Sequence, residues 1–221
     1  YEIRPRDWSS DVCSSDLATI NDQGGGSIYN ADGTPNTTAI PTDDRPITVT
    51  SPTVNESSPH AVFTVAGAVG QTISLALGGG TAGGSGTDYG SSTATTNLQY
   101  SLDGGTTWLN YSTTGAPTLT GTSMLVRTPV VEDAVQDNGE TFTLTATPRG
   151  GTAVVGTATI NDQGGGSIYN ADGTPNTTAI PTDDRPITVT SPTVNESSPH
   201  AVFTVAGAVG QTISLALGGG T

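Results

Sequence analysis

Residues 18–81 recur without a single change at 158–221, residue 158 repeating residue 18 at an offset of 140. Whatever that stretch folds into, the chain must begin to fold it twice. Solenoids repeat every 20–50 residues or so, and 140 is far too long for one. It suits a β-sandwich of roughly 100 residues followed by a connecting segment. The stretch GGGSIYNADGTPNTTAIPTDDRP fills 24–46 and again 164–186. Its Gly, Pro, Asn, Asp and Thr mark it as an interdomain linker. One complete module, 47–163, is expected between the two linkers. Residues 18–23 are then the last strand of a preceding repeat, and 187–221 are the truncated start of the next. The chain is read as a fragment of a tandem array.

Within the module the apolar period is two. Ile47 and Val49 alternate with Thr48 and Thr50, and Ala61, Phe63 and Val65 share a face, as do Ile73, Leu75 and Leu77. Met124 and Val126 continue the pattern with Thr128, followed by Phe142, Leu144 and Ala146, then Ala158 and Ile160. Apolar-in, Thr-out alternation is the pattern of antiparallel sheets with one wet face. The run LQYSLDGGTTW, 98–108, reads as a hairpin turning at Asp103-Gly104-Gly105, with Trp108 an anchor in the core or at its edge. The expected fold class is all-β: an immunoglobulin-like antiparallel β-sandwich of about seven short strands.

Composition narrows the chemistry. The chain carries six Lys plus Arg, every one of them Arg, against 20 Asp plus Glu, for a net charge of −14. Nucleic-acid binding needs phosphate-neutralising cations, so the sign of the charge argues against it. His60 and His200 are one repeat position seen twice, and Cys13 is the single cysteine. The triple glycines lack the Lys-Ser/Thr of a phosphate-binding loop. No run approaches the roughly 18 apolar residues of a membrane span, so no membrane insertion is expected here. An enzyme is not expected.

Carboxylates remain, and they gather between the strands. Glu56 is expected to begin one, Asp88 lies in GTDY, and Glu132, Asp133, Asp137 and Glu140 lie in VEDAVQDNGE, while Asp162 closes the last strand. From spacing alone two readings stand. Either these acids meet at one pole as oxygen ligands of Ca²⁺, which takes about six to eight, or they are scattered solubilising charge.

Four stretches resemble the Calx-beta domain family. Asn55-Glu56-Ser57 ahead of the AVFTV strand resembles its acid-led opening, and GTDY at 86–89 its Gly-Ser/Thr-Asp-Tyr. VEDAVQDNGETF at 131–142 resembles its acidic loop, and TATIND at 157–162 its closing strand. The resemblance implies Ca²⁺ as the cofactor, with Glu56, Asp88, Asp133, Asp137 and Asp162 as ligands and Glu132 and Glu140 as further candidates. Gln163 and Gly164 depart from the family, standing where calcium-binding members continue with Asp. Asp137 is one methylene shorter than the usual Glu, and both changes predict a weaker site. GGSGTDYGS at 83–91 also matches the start of a calcium-binding β-roll nonapeptide, but Gly90 replaces the large apolar residue and the motif is not in tandem.

The implied function is an extracellular spacer in a bacterial surface adhesin, serving cell adhesion. Its partners would be the neighbouring identical repeats and a surface receptor engaged through other domains. The alternative is a non-catalytic accessory module of a large secreted enzyme. Residues 1–17 stand apart: Asp7 to Leu17, DWSSDVCSSDL, resembles the in-frame translation of a sequencing adapter, and the segment is set aside from the fold.

Overall fold

The computed structural model describes residues 18–21, 23–91 and 97–219. The adapter-like residues 1–17 lie outside them, as does Asp22, the copy of Asp162. Among the described residues there is no α-helix. The module contains β1 (Thr48–Val49), β2 (Thr53–Asn55), β3 (His60–Ala66), β4 (Ile73–Gly79) and β5 (Gln99–Ser101). It continues with β6 (Leu109–Asn110), β7 (Ser123–Pro129), β8 (Glu140–Pro148) and β9 (Val154–Asn161). They form a five-stranded sheet, β1-β3-β7-β5-β6, and a four-stranded sheet, β2-β9-β8-β4.

The alternation read from sequence sets the two inner faces. Ala61, Phe63 and Val65 of β3 and Val126 of β7 are fully buried, and so are Phe142, Leu144 and Ala146 of β8 and Ala158 of β9. Phe63 meets Phe142 edge-on across the sandwich at 5.9 Å, and Tyr89 stacks on Phe142 at 4.1 Å. Such aromatic pairs contribute about 0.5–1.5 kcal/mol beyond their buried area. Between the named strands, pairings are antiparallel save one: β2 runs parallel to β9, with Val54 opposite Ile160. The first strand is therefore divided, β1 serving one sheet and β2 the other.

The strand registers give the sandwich two ends. Ala66 pairs with Thr48, and Ile73 with Pro148, at the pole where the chain comes in. There Asp43 N–H donates to Arg149 O at 2.9 Å, and the buried Gln71 side chain donates to Arg45 O at 2.7 Å. Asn55 pairs with Asn161, and Glu140 with Ile160, at the opposite pole, where the chain leaves. The hairpin is as expected: β5 pairs with β6 around Gly104 and Gly105, and Asp103 accepts Thr107 N–H at 2.8 Å. Gly105 is obligatory on two counts. Its φ is +96, and a Cβ there would stand 1.7 Å from Asp172 O.

That last contact belongs to a segment expected to be a linker. Residues 164–176 are docked on the module as a strap. Ser167 pairs with the free edge of β2, its N–H donating to Thr53 O at 2.9 Å and its carbonyl accepting Asn55 N–H at 3.0 Å. Tyr169 packs against the core, and its N–H donates to Ser58 Oγ at 3.1 Å. Arg127 lies over the Trp108 ring at 4.0 Å and donates to Ala171 O at 2.5 Å. Tyr169, Gly173 and Pro175 line a pocket with Val62 on the outer face of β3, and Val62 is buried although its parity points it away from the core. The strap docks because an unpaired strand edge and an apolar outer face offer it partners. Residues 162–164 then pair back with 182–184: Gly164 N–H donates to Thr182 O, and Asp184 N–H to Asp162 O, both at 2.9 Å.

The repeated segments outside the module keep local structure and lose the rest. Residues 18–21 form no strand, and Ile20 is 95% exposed where its copy Ile160 is buried in β9. After the strap, β10 (Thr188–Val189) and β11 (Val205–Ala206) pair as β1 and β3 do. The seven residues of β3 shrink to two in β11, because no strand equivalent to β7 stands beside it. Phe203 is accordingly half exposed, while its copy Phe63 is buried.

Candidate metal site

The acids collect at the pole where the chain leaves. Tyr89 anchors the first of them: its stacked ring and its hydroxyl, which donates to Gly78 O at 3.1 Å, fix the neighbouring Asp88. The loop before it turns tightly, Asp88 N–H donating to Gly83 O at 2.9 Å and the Asp88 carboxylate accepting Gly83 N–H. Asp88 O takes Val131 N–H at 2.9 Å, which starts the acidic loop, and Gly139 N–H ends it on Ile160 O at 2.9 Å. Glu140 opens β8 directly beneath.

Asp88, Asp137 and Glu140 each offer an oxygen, and the three oxygens lie within 4.8 Å of one another. That spread could hold a metal ion. Burial, a hydrogen bond shared with Asp88 and the nearby charges of Asp88, Asp137 and Asp133 push Glu140 up to about 7. Asp137 is raised by burial and then by Asp88, Asp133 and Asp162. Carboxylates this close resist joint ionisation unless a cation compensates them.

Beside the triad lies a second group. Glu56 sits in the turn after β2 rather than at the start of a strand, because Asn55 Oδ1 accepts Ser57 N–H at 3.1 Å and bends the chain there. Glu56 is 5% exposed and Asp162 1% exposed. Each has one oxygen engaged by the acidic loop: Glu56 Oε1 accepts Asp133 N–H at 2.6 Å, and Asp162 Oδ2 accepts Asp137 N–H at 2.8 Å. Their other oxygens, Glu56 Oε2 and Asp162 Oδ1, are buried without a partner, and so is Asp184 Oδ2. Burial raises Glu56 to about 7, with Asp133, Asp184 and Asp137 adding to it. Asp184 is raised by burial and then by Asp162 and Asp133.

Six of the seven sequence candidates, Glu56, Asp88, Asp133, Asp137, Glu140 and Asp162, thus meet at one pole. Glu132 is exposed on the loop and lies in neither group, and Asp133, also exposed, takes part through its N–H while its carboxylate accepts Val135 N–H at 2.6 Å. Two participants were not foreseen. Asn55 is fully buried and organises the pole: its amide donates to Gly165 O at 3.1 Å, and its Oδ1 accepts Thr182 N–H at 3.0 Å. Asp184 arrives from the segment assigned to linker, and the only hint of it was the adjacent acid pair in PTDDRP.

The donors are all hard oxygens, which favour hard divalent cations over thiolate- or imidazole-preferring metals. His60, the module's one histidine, is pushed down to about 4 by burial and then by Arg127, so it stays neutral at ordinary pH. No family model matches the chain, and no curated protein matches it. The fold and the site define an all-β sandwich with an acidic pole able to hold a metal ion.

Proposed function

We propose that residues 47–163 are a Calx-beta-like, immunoglobulin-like spacer module of an extracellular bacterial surface adhesin, and that Ca²⁺ at its acidic pole makes the array rigid for cell adhesion. One observation carries the reading: the chain comes in at one pole and leaves at the other, through the carboxylates, before the same sequence begins again. Identical modules joined this way extend end to end rather than cluster. A cation at the exit neutralises the acids at the joint between one module and the next. Neighbouring repeats are its immediate partners, and a surface receptor is left to other domains.

Thermal unfolding of the chain in EDTA and in about 10 mM Ca²⁺ tests the cation. Dissociation constants of about 0.1–1 mM, as in extracellular modules, give about 1.5–3 kcal/mol of stabilisation. That raises Tm by roughly 5–10 °C. Mg²⁺, which dehydrates reluctantly, should do less. Asp137→Asn should remove most of the gain, and an unchanged Tm in the parent chain overturns the cation. Arrays of two and three repeats should lengthen by equal steps in small-angle scattering, and compaction with repeat number would overturn the spacer.

A further inference from the structure

The two copies of Thr-Asp-Asp-Arg, 42–45 and 182–185, are bonded in opposite directions. Their local frames agree: Gly24 N–H donates to Thr42 O and Gly164 N–H to Thr182 O, and each Arg pairs with the first Asp of its copy. The first copy meets the module that follows it. Asp43 N–H donates to Arg149 O at 2.9 Å, and the Gln71 side chain donates to Arg45 O at 2.7 Å. Two glycines make room there. A Cβ on Gly150 would stand 2.7 Å from Thr42 Cβ, and one on Gly151 would stand 3.2 Å from Asp44 Cα.

The second copy meets the module that precedes it. Thr182 N–H donates to Asn55 Oδ1 at 3.0 Å, Thr182 Oγ1 donates to the same atom at 3.1 Å, and Asn55 Nδ2 donates back to Thr182 O at 3.2 Å. Asp184 N–H donates to Asp162 O at 2.9 Å. Asn55 is fully buried, so water cannot replace these bonds and losing them would leave its amide unsatisfied. The second copy keeps part of the forward half as well, Gln211 Nε2 donating to Arg185 O and lying 3.3 Å from Asp183 Oδ1.

The backward and forward bonds use different atoms. The N–H groups of the first and third residues go backward, from Thr182 and Asp184. The N–H of the second residue and the carbonyl of the fourth go forward, from Asp43 and Arg45. Successive residues of an extended segment face opposite sides, so no donor is called on twice. We infer that every copy in the array makes both sets at once, so that Thr-Asp-Asp-Arg is an interface shared by two modules. The outgoing pole around Asn55 and Asp162 and the incoming pole around Gln71, Arg149 and Gly150 are then complementary surfaces, and the partner each fits is the neighbouring copy of the repeat. No residue of the tetrapeptide is left free to act as a hinge. The inference rests on the reading of 47–163 as a tandem module and does not depend on the cation.

Amide hydrogen exchange on the whole chain in EDTA tests it, and the repeat supplies the control, because paired amides in identical sequence share one intrinsic rate. Thr182 N–H, held by Asn55, should exchange roughly tenfold more slowly than Thr42 N–H, which no copy of Asn55 precedes in this chain. Asp43 N–H, held by Arg149, should be slower than Asp183 N–H, since the matching Arg of the next repeat falls beyond residue 221. Continuing the chain through a second copy of 82–163 should slow Asp183 N–H to the Asp43 rate while Thr182 N–H stays slow. Release of Thr182 as Asp183 becomes protected would overturn the shared interface, and so would equal rates for Thr42 and Thr182 in the parent chain. Asn55→Ala should bring Thr182 to the Thr42 rate. Should that variant unfold, Gly150→Ala, in an exposed turn, gives the second reading: it should speed Asp43 N–H and leave Thr182 N–H as it was, and an unchanged Asp43 rate would overturn the forward contact. The crossed pattern in a chain whose Tm ignores Ca²⁺ would uphold the joint and sink the cation alone.

Discussion

The chain holds the same 23 residues twice, at 24–46 and 164–186, in two different surroundings. Both copies build the same tight turn: Asn30 N–H donates to Thr34 O at 2.8 Å, and Asn170 N–H to Thr174 O at 2.8 Å. Both also close on themselves, Gly24 N–H donating to Thr42 O and Gly164 N–H to Thr182 O, but what they pack against differs. Tyr29 is 61% exposed, whereas Tyr169 packs against the core cluster. Local hydrogen bonds thus make the turn wherever the sequence occurs, but only a sandwich immediately before it gives the segment a surface. The strap is a part of the preceding module, and the repeat unit is a sandwich with its strap.

The harshest way to break the contrast is to remove the surface. Phe142→Ala should cost about 3–5 kcal/mol and make exchange at 164–176 as fast as at 24–36. Persisting protection of the strap would mean that it does not depend on the sandwich. A finer cut uses one glycine in both copies. At Gly166 (φ +92) a Cβ would stand 2.3 Å from Val54 C, whereas at Gly26 (φ +95) the nearest atom is 3.8 Å away. Gly166→Ala should destabilise the module by roughly 1–3 kcal/mol, and Gly26→Ala should leave its melting unchanged. Equal effects would mean that backbone strain alone was being measured.

The smallest expected effect is on pH dependence, and it belongs to the docked copy only. Glu56, facing Asp133, Asp184 and Asp137, and Glu140, facing Asp88, Asp137 and Asp133, have folded values near 7 against 4.5 ordinarily. Folded chain then binds more protons than unfolded chain between those values, so in EDTA stability should fall as pH rises from about 4.5 to 7. Asp43 and Asp183 are held below the usual carboxylate range by Arg45 and Arg185, so their contribution is lost only in more acid solution. A melting temperature in EDTA lower by a few degrees at pH 8 than at pH 5 is expected, and a rise over that interval would contradict it. Ca²⁺ should flatten the slope, because it binds the ionised acids.

Much of this was legible along the chain, and what was not shares one cause. Period two correctly assigned Phe63, Val126, Phe142 and Leu144 to the core because each strand's neighbours obey the same alternation. It sent Val62 outward, where the strap covers it. The acids of the outgoing pole sit in short motifs beside strand ends, which is why they could be read along the chain. Asp184 escaped because it returns from 22 residues beyond Asp162 through a loop whose docking depends on Trp108, Arg127 and the edge of β2. Composition reports that such a loop is polar, and only tertiary contact reports that it is bound.

The parallel pairing of β2 with β9 has a mechanical consequence. These are strands close to the module's two ends, and they lie side by side, Thr53 to Thr159 and Asn55 to Asn161. Tension applied along the chain draws β2 toward the incoming pole and β9 toward the outgoing one. Their ladder is then loaded in shear, with its bonds strained together rather than opened one after another. Ser167, bonded to the other edge of β2, must slide as well before that strand can move. Resistance to stretching is therefore concentrated in a few residues on either side of Val54, in the strand that the strap and β9 hold between them.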